Sequence, residues 1–132
     1  MSTARKGEKM KKILVILALL TTILVGCSNQ KSGETQEIID YLIEKCQKDD
    51  TKEGYDVNYT EDDFSFKIYY DKDKDKYLIQ AYEPYESESN KLKWEYEWLD
   101  NEAKLIKYKS VFEERLDDGD YEVIYQSGKF AE

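Results

Sequence analysis

Histidine is absent from this chain of 132 residues, and proline occurs only once. Without imidazole there can be no His-dependent catalytic triad, metal cage or pH switch. Basic residues are also in deficit, because 20 Lys and Arg stand against 29 Asp and Glu, which gives a formal net charge of -9. Phosphate recognition needs Lys and Arg, so this acidic chain is not expected to bind nucleic acid.

The sequence is equally poor in short catalytic motifs. It has no serine nucleophile motif, no glycine-rich phosphate loop and no paired-cysteine spacing. We therefore expect a protein that is not an enzyme and holds no cofactor. What the sequence does contain is 37% charged residues and 12 tyrosines, which predicts a single small folded domain with a charged surface.

One apolar run, from Ile13 to Val25, lies near the N-terminus. As a helix it would rise only about 20 Å, which is short of the roughly 30 Å hydrocarbon core of a bilayer. Lys11 and Lys12 precede the run and small residues follow it, an order typical of a secretory signal peptide. Both Met1 and Met10 are compatible with the start of that signal.

The apolar run ends in the residues Leu24-Val-Gly-Cys27, and this ending resembles the lipobox of bacterial lipoproteins. The resemblance implies a diacylglycerol on the thiol of Cys27, cleavage between Gly26 and Cys27, and a mature chain anchored on the extracytoplasmic face of the cell membrane. The alternative is an ordinary signal peptide that ends in a cysteine. Loss of residues 1–26 would leave 15 basic and 28 acidic side chains. Such a chain is repelled by anionic headgroups, so the lipid alone would hold it at the membrane.

After a polar tether at 27–33, residues 34–132 are expected to form one domain that begins with a helix. Apolar residues repeat at steps of three and four within Glu34–Lys48, which predicts an amphipathic helix, and Gly54 follows as its stop signal. The members of this apolar stripe are Ile38, Ile39, Leu42, Ile43 and Cys46. We expect Cys46 to be a buried, unpaired thiol, with a reactive or intermolecular thiol as the alternative.

The period of the pattern changes to two after the helix, which predicts an antiparallel meander of about four strands. The strand segments are Phe64–Tyr70, Tyr77–Tyr82, Leu92–Trp98 and Ala103–Val111, with short additions at Val57–Thr60 and Tyr121–Tyr125. In the first hairpin Tyr70 should oppose Tyr77, which aligns the apolar faces. Phe112–Leu116 is predicted as a helical turn, and Pro84 as part of a loop over Glu83–Asn90. The fold class is therefore α+β, with the helix packed on one face of the sheet.

The order of a lipobox, a short tether, one helix and an antiparallel meander over residues 24–132 resembles the small cystatin-like fold lipoproteins of Gram-positive bacteria. The resemblance implies a cystatin-like sheet wrapped on the helix, and a gene often carried on a mobile element. It does not imply protease inhibition, because the inhibitory hairpin of true cystatins has a Gln-x-Val-x-Gly pattern. The segment Gln80-Ala-Tyr-Glu-Pro84 lacks both the Val and the Gly.

The segment Asp71-Lys-Asp-Lys-Asp-Lys76 begins like the calcium loop of an EF-hand. That loop needs Gly at its sixth position and Glu at its twelfth, where this sequence has Lys76 and Tyr82. We therefore expect a solvated hairpin turn and no metal site. Two further acidic clusters are expected to be solvated turns, with weak cation binding as the alternative; they comprise Glu86, Glu88, Asp117, Asp118 and Asp120.

The aromatic residues provide the best indication of a contact site. Trp94, Tyr96 and Trp98 alternate along one strand and should share a face. We expect that face to be buried under the helix, with a stacking platform for sugar or peptide as the alternative, while the opposite face of the strand, rich in Lys and Glu, should be solvated. The tyrosines that fall outside the expected core form the candidate contact surface: Tyr69, Tyr82 and Tyr85.

Two functions are compatible with these patterns. The first is a non-enzymatic interaction module, tethered outside the cell membrane, that binds an envelope protein or peptide. The second is a carrier that holds a small ligand or cation in a pocket between helix and sheet. A completely filled helix–sheet interface would exclude the carrier.

Replacing Cys27 by Ser tests the lipid anchor. Because the lipid is attached to the thiol, the Cys27→Ser chain should lose membrane association and be released as a soluble product. Fractionation of cells that express the parent and the variant measures this directly. Unchanged membrane retention would mean that the apolar run itself spans the bilayer.

Overall fold

The computed structural model describes residues 32–131, which open with a long helix, α1, at Gly33–Lys52. The signal peptide, the cleavage site at Gly26 and Cys27, and most of the tether lie outside the described residues. Ser32 caps α1, because its side chain accepts a hydrogen bond from the backbone N–H of Thr35 at 3.1 Å. Gly54 follows the helix with a φ of 101°, so the stop signal at this glycine is confirmed.

The predicted apolar stripe of α1 is confirmed, since Ile38, Ile39 and Leu42 are fully buried against the sheet. Cys46 continues the stripe and is buried as a free thiol, as expected. The helix is one turn longer than predicted at its C-terminal end. That last turn carries acidic residues instead of apolar ones, so it extends past the core without adding to it.

Among residues 32–131, five antiparallel strands form one sheet, and the short last strand predicted at Tyr121–Tyr125 is confirmed as its fifth member. They are β1 at Ser65–Asp71, β2 at Lys76–Tyr85, β3 at Glu88–Leu99, β4 at Glu102–Leu105 and β5 at Glu122–Gln126. Their order across the sheet is β4-β3-β2-β1-β5. The first four strands make the expected meander, and β5 returns to pair with β1 at the opposite edge from β4.

The register of the first hairpin is confirmed, since Tyr70 pairs with Tyr77 and Ile68 with Ile79. The loop predicted over Glu83–Asn90 is wrong, because β2 continues to Tyr85 and β3 starts at Glu88. Only Glu86 and Ser87 form the turn, and both have positive φ angles, as two-residue hairpin turns require. Pro84 therefore lies inside β2, at an irregularity between Glu83 and Tyr85.

The fourth predicted strand, Ala103–Val111, is mostly wrong. Strand β4 ends at Leu105, and a second helix, α2, follows at Lys109–Asp118, which extends the helical turn predicted at Phe112–Leu116. The chain leaves the sheet edge here because Ile106 and Phe112 are buried against Leu78, on the face opposite to α1. That face is thus partly covered and not simply solvated, and Arg115 of α2 reaches Glu97 with an Nη1–Oε1 distance of 2.7 Å.

The edge strand predicted at Val57–Thr60 is also wrong, since these residues form no ladder with the sheet. Their backbone groups bond instead to the side chain of Gln47 on α1, which accepts from the N–H of Tyr59 at 2.8 Å and donates to the carbonyl of Val57. A side-chain amide can satisfy one donor and one acceptor at once, so this segment needs no strand partner. This segment connects the end of α1 to β1.

The principal core lies between α1 and the sheet and contains aromatic residues from every strand except β4. Tyr96 and Trp98 of β3 are buried in it, and the ring of Trp98 meets that of Tyr41 edge-on at 5.5 Å. Trp94 lies on the same face, but 41% of it is exposed. The prediction that Trp94 is a core residue is therefore wrong. Because β4 pairs only with the segment from Tyr96 to Leu99, no strand of the described part of the chain lies beside Trp94 on that side.

The two tryptophans of β3 provide a matched test of this core. Trp98→Ala should lower the free energy of unfolding by about 3–5 kcal/mol, as for other buried tryptophans. Trp94→Ala should lower it by only roughly 1 kcal/mol, because its side chain is half in solvent. Urea unfolding of the full chain in detergent micelles, followed by circular dichroism, measures both. Equal losses would contradict the placement of the two side chains.

Candidate functional site

An open cleft of about 260 Å³ lies between the C-terminal half of α1 and the neighbouring ends of β2, β3 and β4. The apolar stripe of α1 stops at Cys46 while the helix continues to Lys52, so acidic side chains of the last turns line the helix side of the cleft. The sheet side contributes Glu83, Tyr96 and Trp94. The helix–sheet interface is thus filled over most of its length and open at one end.

A buried carboxyl group forms the floor of the cleft. Glu83 is only 3% exposed, and its two oxygens accept hydrogen bonds from the hydroxyl of Tyr96 at 2.6 Å and the thiol of Cys46 at 3.4 Å. Residue 83 continues the alternation of β2 after Tyr77, Ile79 and Ala81, so its side chain must point toward the helix. An ionisable group is therefore held where the pattern would otherwise place an apolar one.

Burial dominates the titration behaviour of this triad of side chains. It raises the pKa of the Glu83 carboxyl, although the hydrogen bond from Tyr96 and the nearby charge of Lys45 act in the opposite direction. Burial also raises the pKa of the Cys46 thiol, and the adjacent carboxylate raises it further. The thiol is therefore protonated and unreactive at neutral pH, which supports the expectation of an inert cysteine.

The helix side of the cleft is acidic. Four carboxyl groups line the cleft against a single ammonium group, that of Lys45. Asp49 is exposed and lies 3.5 Å from Lys45, and Glu53 is exposed at the end of the helix. Asp50 is buried and accepts a hydrogen bond from the hydroxyl of Tyr59, which in turn accepts one from the N–H of Ser87 at 3.3 Å. The two exposed acids leave the rim with negative charge that faces solvent.

The opposite wall of the cleft is apolar. Trp94 and Tyr85 are each 41% exposed here, and Leu105 at the end of β4 is more exposed still. Leu92 and Pro84 complete this wall. A partly exposed indole beside carboxylates offers a ligand both a stacking surface and charge, and Trp and Tyr are enriched in binding hot spots.

The three tyrosines of the predicted contact surface do not lie together. Tyr85 lines the cleft. Tyr69 is half-buried on the other face of the sheet, where it meets Phe112 at a ring distance of 6.0 Å, and Tyr82 packs against the ring of Phe130 at 5.3 Å. Tyr85 is therefore the only one of the three that lines the cleft, and the aromatic platform predicted as an alternative is reduced to Trp94, because Tyr96 and Trp98 are buried.

In the turn that begins like a calcium loop, the first aspartate binds backbone groups of the protein. Asp71 is buried, and it accepts hydrogen bonds from the backbone N–H groups of Asp73, Lys74 and Asp120. The bond from Asp120 is the main reason that the pKa of Asp71 lies below its usual range. This carboxylate joins the β1–β2 turn to the turn after α2. Across residues 32–131, no three Asp, Glu or Cys side chains are grouped so that they could hold a metal ion.

The site residues predicted from the sequence do not include Glu83. The available signal was a charged residue in phase with three apolar residues of one strand, which predicts a buried acid or an error in the strand boundary. The mistaken loop over Glu83–Asn90 concealed this, because it removed residue 83 from the strand.

Comparison of the chain with protein-family models, curated proteins and solved structures finds no match. Among the described residues, no helix combines the length and the hydrophobicity needed to cross a membrane.

Replacing Glu83 by Gln tests the buried carboxyl through its pH dependence. Folding raises the pKa of this carboxyl, so the folded state favours the protonated form. The resulting contribution to the free energy of unfolding is complete below the ordinary pKa and is lost as the pH rises through the raised pKa. The free energy of unfolding of the parent should therefore fall, relative to Glu83→Gln, as the pH rises above the ordinary carboxyl pKa of 4.5. Urea unfolding at several pH values measures the difference. A difference that is constant with pH would contradict a titrating carboxyl at this position.

Proposed function

We propose that this protein is a non-enzymatic interaction module that binds an envelope protein or peptide in the cleft between α1 and the sheet. The observation that carries the proposal is the exposed aromatic pair Trp94 and Tyr85 beside an open, acidic cleft. Aromatic side chains lose little conformational entropy on contact and dominate the binding energy of interfaces.

The state of Glu83 supports binding instead of catalysis. A general acid or base must be able to reach the proton that it transfers. Both oxygens of Glu83 already accept hydrogen bonds from Tyr96 and Cys46, and the side chain is almost inaccessible. We infer that Glu83 fixes the floor of the cleft and leaves recognition to the exposed groups above it.

We further propose that the module is a lipoprotein held by Cys27 on the extracytoplasmic face of a Gram-positive cell membrane, encoded on a mobile element, with a cystatin-like fold. The lipobox-like ending at Cys27 supports the anchor. A helix packed across one face of an antiparallel meander supports the cystatin-like layout. A tether between membrane and domain would leave the cleft accessible to other envelope components.

A second function, carriage of a small ligand or cation, is favoured by one observation. The cleft lies between helix and sheet, where a carrier would hold its cargo, and it is lined on one side by carboxyl groups. Its volume of about 260 Å³ is near the lower end of the range of small-molecule sites. A carrier would depend on the enclosed floor and not on the exposed aromatic wall.

Site-specific photo-crosslinking separates the two functions. A photoreactive phenylalanine at Tyr85, in cells that naturally make this protein, should form one discrete adduct with an envelope protein or peptide. The matched control position is Tyr108, which is 69% exposed but does not line the cleft. Adding Trp94→Ala should reduce the Tyr85 adduct several-fold, since a hot-spot aromatic is then lost. Identical adducts at both positions, or adducts insensitive to Trp94→Ala, would contradict the proposed module.

A further inference from the structure

Strand β3 has an open outer edge directly beside the cleft. It extends over Glu88–Leu99, but β4 pairs with it only as far as Tyr96. One more hydrogen bond, from the N–H of Ile106 to the carbonyl of Glu95 at 2.8 Å, continues the ladder before the chain turns to the other face. Among residues 32–131, no strand covers β3 on that side before Glu95.

The backbone of this open edge is directed outward at Lys93. In an antiparallel strand the N–H and C=O of one residue point to the same side, and residues two apart point alike. Because the carbonyl of Glu95 bonds to the β4 side, the N–H and C=O of Lys93 also face that side. Asn90 has a φ of 52°, so the regular part of the open edge begins at Lys91. An unpaired edge of this kind is a template for another strand.

The side chains next to Lys93 point into the cleft. Leu92 and Trp94 line it, while Lys93 itself lies on the other face of the sheet. A strand added along this edge would therefore place every second side chain over the cleft, against Trp94 and the acidic rim. The two exposed carboxylates of the rim, Asp49 and Glu53, outnumber the one ammonium group of Lys45 and suit lysine or arginine at those positions.

We propose that the cleft captures an extended, basic peptide segment that adds to β3 as an antiparallel strand, in line with β4. This proposal rests on the proposed function and specifies its partner. In the bound peptide, lysine or arginine and apolar residues face the cleft and alternate with residues that face away from it. A second copy of this chain is the less suitable occupant, because two acidic clefts would then approach each other.

A synthetic peptide provides the test, with binding to the full chain in detergent micelles measured by calorimetry. The peptide has the sequence Thr-Lys-Thr-Leu-Thr-Lys-Thr-Leu-Thr-Lys, so that Lys and Leu face the cleft. In antiparallel addition the amides of the threonines point toward β3, and those of Lys and Leu point away. N-methylation of one central threonine should weaken binding about tenfold, whereas N-methylation of a central Lys or Leu should change it by less than about twofold.

Variants of the protein provide the matching controls. Lys93→Pro removes the outward N–H and should weaken binding about tenfold, while Lys93→Ala should have little effect. A peptide with Glu in place of Lys should not bind.

Equal effects of the two N-methylations, or the reverse order, would overturn strand addition, as would concentration-dependent dimers in which Lys93 is protected. If peptide binding does not respond to N-methylation or to Lys93→Pro but is abolished by Trp94→Ala, the result supports the interaction module and contradicts strand addition. Absence of all peptide binding overturns this proposal, while crosslinking at Tyr85 decides the proposed function separately.

Discussion

The packing of the apolar stripe of α1 on the sheet is the contact on which the rest of the structure depends. Ile38, Ile39 and Leu42 are fully buried and hold the helix on the sheet. Since the stripe ends at Cys46 and the helix does not, the final turns line the cleft with acidic side chains instead of apolar ones. The cleft is therefore a direct result of a helix that is longer than its apolar face.

The cleft combines three features that arise from different elements. The last turns of α1 provide exposed acids, β2 provides the buried carboxyl of Glu83, and β3 provides Trp94 on the opposite wall. The hydrogen bonds from Tyr96 and Cys46 to Glu83 fix the floor, so that its shape does not depend on a ligand. Rigid secondary structure on three sides thus leaves only the rim free to adapt.

Local patterns were sufficient to predict the helix and the first hairpin. The residues on the α1 stripe and the pairing of Ile68 with Ile79 follow from periodicity alone, because one face must be buried and a shift of one residue would expose it. The exposure of Trp94 could not be predicted in this way. It depends on where β4 ends, and the chain leaves β4 for the packing of Ile106 and Phe112 on the far face.

The position of β5 has a consequence for the order of folding. The meander from β1 to β4 is built from hairpins between neighbours in sequence, which can pair as soon as each is synthesised. Strand β1 gains its second partner only from Glu122–Gln126, after about 50 further residues. The carboxylate of Asp71 likewise accepts the hydrogen bond from the N–H of Asp120 only after that later segment is made. Strand β1 therefore remains at a temporary sheet edge until β5 is made.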